Sequence, residues 1–158
     1  MKILLTGATG YIGKRILPVL INEGHHVVCC VRDKNRFSPP TSLLDSIDVV
    51  EVDFLKEDTL NHIPADIDGA YYLLHSMSTA KNYRELEERS AKNFRDTINT
   101  RNARHVIYLS GIINEEHLSD HLSSRKNVEN ILEQGKYHFT TLRAGIIIGS
   151  GSASFEII

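Results

Sequence analysis

Thr6-Gly7-Ala8-Thr9-Gly10-Tyr11-Ile12-Gly13 follows directly on the apolar run Ile3-Leu4-Leu5, a few residues into the chain. The run reads as a buried strand, and residues 14–23 beyond the glycines read as a helix. Three glycines at intervals of three each have a mechanical reason in a strand-to-helix turn wrapped around a phosphate. Gly7 lets the chain turn sharply out of the strand. Gly10 lets the backbone approach the phosphates with no Cβ in the way, and Gly13 lets the new helix sit close to the strand. The amides of Tyr11 and Ile12 would then point at a pyrophosphate from the positive end of the helix dipole, with Thr9 in the same turn. A glycine triplet alone is a weak signal. Between a first strand and an amphipathic helix it becomes a dinucleotide-binding signal.

Outward from that turn, strands and helices alternate. Residues 26–31 form a second strand after the helix stop at Gly24, and residues 47–52 form a third. Residues 55–63 read as a short helix. Residues 70–74 form a fourth strand, whose nearly continuous apolar character suits a parallel strand covered on both faces. A long helix over 82–102 repeats Tyr83, Leu86, Ser90, Phe94 and Ile98 on one face. A fifth strand (105–109), a helix (119–133) and a sixth strand (139–142) complete the series. Such βα alternation predicts an α/β fold, a doubly wound parallel sheet of strand order 3-2-1-4-5-6. The ligand crevice then lies where the order reverses, between strands 1 and 4.

The chain has 158 residues, enough for one domain, with 41% apolar and 24% charged residues, as in ordinary globular proteins. A net charge of −2 and the absence of any basic run give no case for nucleic acid or an anionic membrane as partner. No apolar stretch approaches the roughly 18 residues that span a bilayer. Cys29 and Cys30 are adjacent in an apolar run and read as buried small hydrophobes in a reducing compartment, so a cytoplasmic location is expected. His25-His26 with Cys29-Cys30 offers metal-ligand residue types, but strand alternation sends neighbouring side chains to opposite faces, so no metal site is expected.

The end of the second strand bears on the choice of dinucleotide. An acidic residue there suits the ribose hydroxyl of NAD, whereas a cation suits the 2′-phosphate of NADP. The chain reads Val31-Arg32-Asp33-Lys34-Asn35-Arg36. Arg32 comes first and can grip a phosphate bidentately, which favours NADP, with NAD as the alternative through Asp33. After the third strand, Asp53 could accept from the adenine amino group while Phe54 lines the adenine pocket. Asp53 is equally suited to cap the segment that follows.

These stretches, with 71–77, Ile107-Tyr108-Leu109-Ser110-Gly111 and Leu142-Arg143-Ala144-Gly145, resemble the nucleotide-binding half of an atypical or extended short-chain dehydrogenase/reductase. The chain is similar to the NmrA-like and NAD-dependent epimerase/dehydratase-like branches. The resemblance covers nearly the whole chain in the family's order. It implies pyrophosphate contacts at Gly7, Gly10, Tyr11, Ile12 and Gly13, an adenosine 2′ contact at Arg32 and adenine contacts at Asp53 and Phe54. It also implies that Leu74, His75 and Ser76 lie near the nicotinamide ribose.

The same resemblance implies a catalytic Tyr-x-x-x-Lys with an upstream Ser or Thr. Ser110 fits the serine position, but the helix reads His121-Leu122-Ser123-Ser124-Arg125, which puts His121 in place of the tyrosine and Arg125 in place of the lysine. His121, Ser124 and Arg125 share one helix face. The chemistry differs, since histidine works as acid or base near neutral pH and arginine stays charged. Two functions therefore stand. One is an oxidoreductase or epimerase/dehydratase acting on a small carbonyl or alcohol substrate through Ser110, His121 and Arg125. The other is a non-catalytic dinucleotide-binding sensor. After the sixth strand come Ile146-Ile147-Ile148, and the family continues beyond this point into a substrate-binding segment. The expectation is an N-terminal portion of a longer protein, with self-association through an uncovered C-terminal edge.

Overall fold

The computed structural model describes residues 1–75, 82–112 and 120–150, with the side chains of residues 120 and 121 outside that description. Six strands and three α-helices follow one another among the described residues, with only 3-10 turns between β2, β3 and β4: β1 (Lys2–Leu5), α1 (Tyr11–Asn22), β2 (His26–Val31), β3 (Ile47–Glu51), β4 (Gly69–Tyr72), α2 (Tyr83–Ile98), β5 (His105–Gly111), α3 (Asp120–Glu133) and β6 (His138–Ala144). The strands make one sheet in the order β3-β2-β1-β4-β5-β6. Every pairing is parallel. This is the doubly wound α/β architecture expected from the sequence, with the order reversing between β1 and β4.

Two apolar layers result from strand alternation. Leu4, Val28, Ala70, Tyr72, Val106 and Tyr108 pack on one face against Ala91, Phe94 and Ile98 of α2 and Val128, Ile131 and Leu132 of α3. Phe94 anchors this layer, edge-on to Tyr72 at 4.8 Å and to Phe54 at 5.5 Å between ring centres. Ile3, Leu5, Val27, Cys29 and Val31 point to the other face, where Leu17 and Leu20 of α1 cover them. Both cysteines are buried free thiols, and burial pushes both thiols up, Cys29 to about 12.

Several elements differ from their sequence-based bounds. Residues 55–63 form a 3-10 turn, Glu57–His62, instead of an α-helix. The Thr59 hydroxyl bonds the Asp53 and Lys56 carbonyls, and Pro64 disfavours helical backbone just before it. The long helix stops at Ile98, short of residue 102. Thr97 and Thr100 donate back to the carbonyls of Asn93 and Thr97, and Asn102 takes a left-handed φ of 57°. β4 ends at Tyr72, two residues early, whereas β6 is longer than expected at both ends. At the β6 margin Leu142, Ile146 and Ile148 are exposed.

One side chain ties the two central strands together at their carboxyl ends. Thr6 is fully buried, its hydroxyl donating to the Tyr71 carbonyl at 3.0 Å and accepting from the Leu73 amide at 2.9 Å. Leu73 thus bonds a side chain where a strand would bond a neighbouring backbone, which accounts for the early end of β4. Replacing Thr6 by the isosteric valine strands that amide, at a cost of about 1–3 kcal/mol. Chemical denaturation of Thr6→Val checks this, and an unchanged midpoint would mean that Leu73 finds another acceptor.

Candidate functional site

The β1–α1 turn departs from Leu5 with Gly7 at a φ of +66°, a region that L side chains rarely adopt. A Cβ at Gly7 would also lie 2.9 Å from the Leu73 carbonyl oxygen. Gly13, within the first turns of α1, faces the turn itself, and a Cβ there would collide with the Gly7 carbonyl and Ala8 Cα. The turn is thus folded tightly upon its own helix. The Gly10 amide bonds the Gly7 carbonyl at 2.9 Å, and no side chain caps α1. The amides of Tyr11 and Ile12, at the first two helical positions, have no intrahelical acceptor and remain available to an anion.

A cavity of about 580 Å3 opens over the carboxyl ends of β1, β2 and β4, within the range of small-molecule and cofactor sites. Thr6, Gly7, Thr9 and Gly10 form one wall. At one end stand Arg32, Asp53 and Phe54, and at the other Leu74, His75 and Glu87. The phosphate turn therefore sits midway between two chemically distinct ends, as a dinucleotide requires. Tyr11 lines a smaller adjoining hollow with Lys14, Arg15 and Ser150. There the Arg15 guanidinium lies 5.3 Å over the Tyr11 ring and donates to the Ser150 carbonyl at 2.9 Å, bringing the segment after β6 back over the start of α1.

At the end bearing Arg32, the two candidate groups of the second strand separate. Arg32 is exposed and lines the cavity, and no carboxylate pairs with it among the described residues. The Asp33 carboxylate instead accepts from the Asn35 amide at 2.9 Å, capping the short turn Lys34–Arg36. Asp53 does not cap the segment that follows, whose short 3-10 turn starts after Lys56 with no side-chain cap. It lines the cavity, and its carboxylate accepts from the Leu55 amide at 3.0 Å. Phe54 lines the cavity but is mostly core, stacked edge-on against Phe94.

The other end gathers polar groups from β4, β5, α2 and α3. His75 lines the cavity, its ring 6.2 Å from that of Tyr108. Burial, reinforced by the Arg125 charge, holds its imidazole well below the ordinary histidine range, at about 4, against the opposing pull of Glu87. The buried Ser124 hydroxyl donates to the Glu87 carboxylate, joining α3 to α2. Arg125 packs its guanidinium against Gly111, and a Cβ there would sit 3.1 Å from it. Ser110 is buried beside Tyr108, and its hydroxyl has no hydrogen-bond partner of ordinary geometry among the described residues. Ser76 and the His121 side chain lie outside the described residues.

Glu87 is a site residue that sequence reasoning missed. The run Arg84-Glu85-Leu86-Glu87-Glu88-Arg89 reads as a wet helix face, yet Leu86, Glu87 and Ser90 all line the cavity. The available signal was spacing: Glu87 stands four residues after Tyr83 and three before Ser90, on the inward edge of α2.

An uncapped helix start behind a left-handed glycine, at the point where sheet order reverses, defines a dinucleotide-binding α/β protein. The chain belongs to the NAD(P)H-binding family, whose sequence model matches residues 7–155. No curated protein matches it. Among solved structures, it is similar to a candidate NAD-dependent epimerase/dehydratase from Bacillus halodurans, at 20% identity and a TM-score of 0.79 over 97% of this chain and 74% of that one. It is also similar to the Citrobacter sp. triphenylmethane reductase complexed with NADP(H), at 17% identity and a TM-score of 0.75 over 90% of this chain. The Bordetella bronchiseptica enzyme WbmH in complex with NAD+ matches at 18% identity and a TM-score of 0.71, over 91% of this chain and 56% of that one. The chain spans about half the length of the triphenylmethane reductase, 49%. These likenesses establish the fold. Among the described residues, no helix is long and apolar enough to cross a membrane.

The depressed His75 predicts an acid-side loss of stability. The unfolded chain takes up a proton near pH 6.5 and the folded one only near pH 4, so the contribution is complete above pH 6.5 and is lost as pH falls towards 4. Its full extent is on the order of 3 kcal/mol. Denaturation midpoints measured from pH 7.5 to 4 in wild type and His75→Gln should converge at low pH. Parallel curves would remove His75 as the cause.

Proposed function

We propose that the protein is an NADP-dependent oxidoreductase or epimerase/dehydratase-type enzyme acting on a small carbonyl or alcohol substrate. The observation that carries this reading is the polar cluster beside the far end of the cavity from Arg32. Ser110, His75, Glu87, Ser124 and Arg125 converge there from β5, the segment after β4, α2 and α3, around a serine hydroxyl with no partner of ordinary geometry among the described residues. A buried orphan hydroxyl costs free energy in a protein that only needs to hold a cofactor, and it suits one that must orient a substrate oxygen.

The residues present fit a nicotinamide dinucleotide. The α1 amides and the open side of Gly10 suit the pyrophosphate, and Arg32 suits an adenosine 2′-phosphate as an exposed cation without a carboxylate partner. Leu74, His75 and Ser76 are assigned to the nicotinamide ribose side. When bound, the nicotinamide supplies hydride chemistry. Ser110 orients the substrate oxygen, Arg125 supplies a fixed positive charge beside it, and His121 stands where related enzymes carry tyrosine. Substrate residues contributed by a continuing polypeptide, and self-association through exposed Leu142, Ile146 and Ile148, belong to the same reading.

The missing Tyr-x-x-x-Lys pair favours a second reading, a dinucleotide-binding sensor without turnover. NADPH oxidation by the full-length protein over a panel of small ketones and aldehydes separates the two. Tight NADPH binding with no turnover in any case would leave the sensor. Turnover that is equal in wild type and His121→Ala would remove His121 from the catalytic set.

Cofactor choice has its own test. Calorimetry should show NADPH bound more tightly than NADH, with Arg32→Ala weakening NADPH by about tenfold or more and leaving NADH nearly unchanged, the loss of one charge-assisted contact. An unchanged preference would remove Arg32 from the 2′-phosphate.

A further inference from the structure

We propose that His75 is the group that takes the hydroxyl proton of an alcohol substrate, with Glu87 stabilising the cation that forms. This moves proton acceptance from the start of α3, where the family pattern places it, to the segment after β4. The proposal rests on the oxidoreductase reading above.

Geometry carries it. Among the described residues, Tyr72, His75 and Glu87 are the titratable side chains that line the cavity at the end away from Arg32; the Tyr72 hydroxyl is bonded to Ser90, Ser110 is buried beside Tyr108, and Arg125 lies against Gly111. A neutral imidazole carries one N–H and one lone-pair nitrogen, so His75 has a nitrogen that can take a proton. The groups facing His75 from its surroundings are Arg125 of α3, Glu87 of α2, and Tyr108 with the Leu109 backbone of β5. Glu87 itself is held in place by the Ser124 hydroxyl, so its charge has a defined position relative to the imidazole.

These neighbours define how the group behaves. Burial and Arg125 keep the imidazole neutral across the physiological range, so the lone pair is present in every molecule. Glu87 opposes them and stabilises the imidazolium once a proton arrives. In alcohol oxidation a bound oxidised nicotinamide would supply the acceptor for the hydride released as the substrate C–H bond breaks. The O–H bond breaks with its proton passing to His75, and the electron pair left on oxygen forms the C=O bond. The alcohol loses two electrons and the dinucleotide gains them. The imidazolium, disfavoured by burial, then returns its proton to water.

The experiment combines titration with kinetics on the full-length protein. Histidine ring resonances are followed by NMR against pH, with His75 assigned by its loss in His75→Gln. The expected midpoint lies below pH 5 and moves lower in Glu87→Gln. Adding NADP+ should shift the His75 resonance. With NADP+ and a panel of small secondary alcohols, His75→Gln should lower kcat by at least about 100-fold while the NADPH Kd changes by less than about tenfold. A structural role alone would move Kd and thermal stability together with kcat. A midpoint near 6.5 that ignores both Glu87→Gln and NADP+ overturns the proposal. So does turnover that survives in His75→Gln, which leaves the oxidoreductase reading standing. Absence of any turnover in wild type overturns that reading, and this assignment with it.

Discussion

The contact between the β1–α1 turn and the chain leaving β4 is the constraint on which the rest depends. Thr6 reaches across the gap between the two central strands with one hydroxyl serving both Tyr71 and Leu73, and Gly7 follows in a left-handed conformation against the Leu73 carbonyl. A side chain at Gly7 would meet that carbonyl and push the strands apart. Once the two are locked, the turn has only one way to go, over the sheet's edge and into α1, and the cavity takes its shape from this departure. Leu74 and His75 enter the cavity wall because β4 gives up strand pairing at Tyr72. The phosphate-binding geometry and the position of the proposed proton acceptor are thus consequences of one buried threonine and one glycine.

Charge is distributed along the cavity in a way that matches its two ends. Arg32 is exposed at the mouth, without a carboxylate partner among the described residues, where a solvated cation costs little and a phosphate can reach it. Asp33 turns its carboxylate onto the Asn35 amide and so contributes a local turn instead of a competing ribose contact. At the opposite end the charges are half-buried. Arg125 and Glu87 oppose one another at His75, so small changes in either would be felt by the imidazole. An exposed cation at one end and a partly buried pair of opposed charges at the other make the two ends of the cavity chemically distinct.

The architecture was legible in the sequence because it depends on patterns that survive translation into three dimensions. Glycine spacing after an apolar run, near-continuous apolar strands and helical periodicity all report on burial, and burial sets the parallel sheet and its order. The misplaced boundaries lie where hydroxyl side chains compete for backbone groups, at Thr59, Thr97 and Thr100, which apolar periodicity does not register. The glycine turn between β1 and α1 was legible for the same reason as the sheet. Glu87 was not, because its meaning comes from Ser124, a residue 37 positions away that reaches it only through the packing of α3 on α2. Asp53 resisted a single assignment because it serves the turn and the cavity together.

The cluster around Ser110 bears on what kind of site this is. Polar groups buried without full pairing cost stability, and a fold that needed only to bind a dinucleotide could fill the same space with the apolar residues that dominate the α2–α3 layer. Instead, Tyr72 bonds Ser90, Ser124 bonds Glu87, Arg125 sits against Gly111, and Ser110 is left without a partner of ordinary geometry among the described residues. Each of the paired groups is positioned by a neighbour, so the set is held rigidly. The unpaired hydroxyl lies within that rigid frame, next to the segment that carries His75. Such a frame supports the proposed enzyme over a module that only holds a dinucleotide.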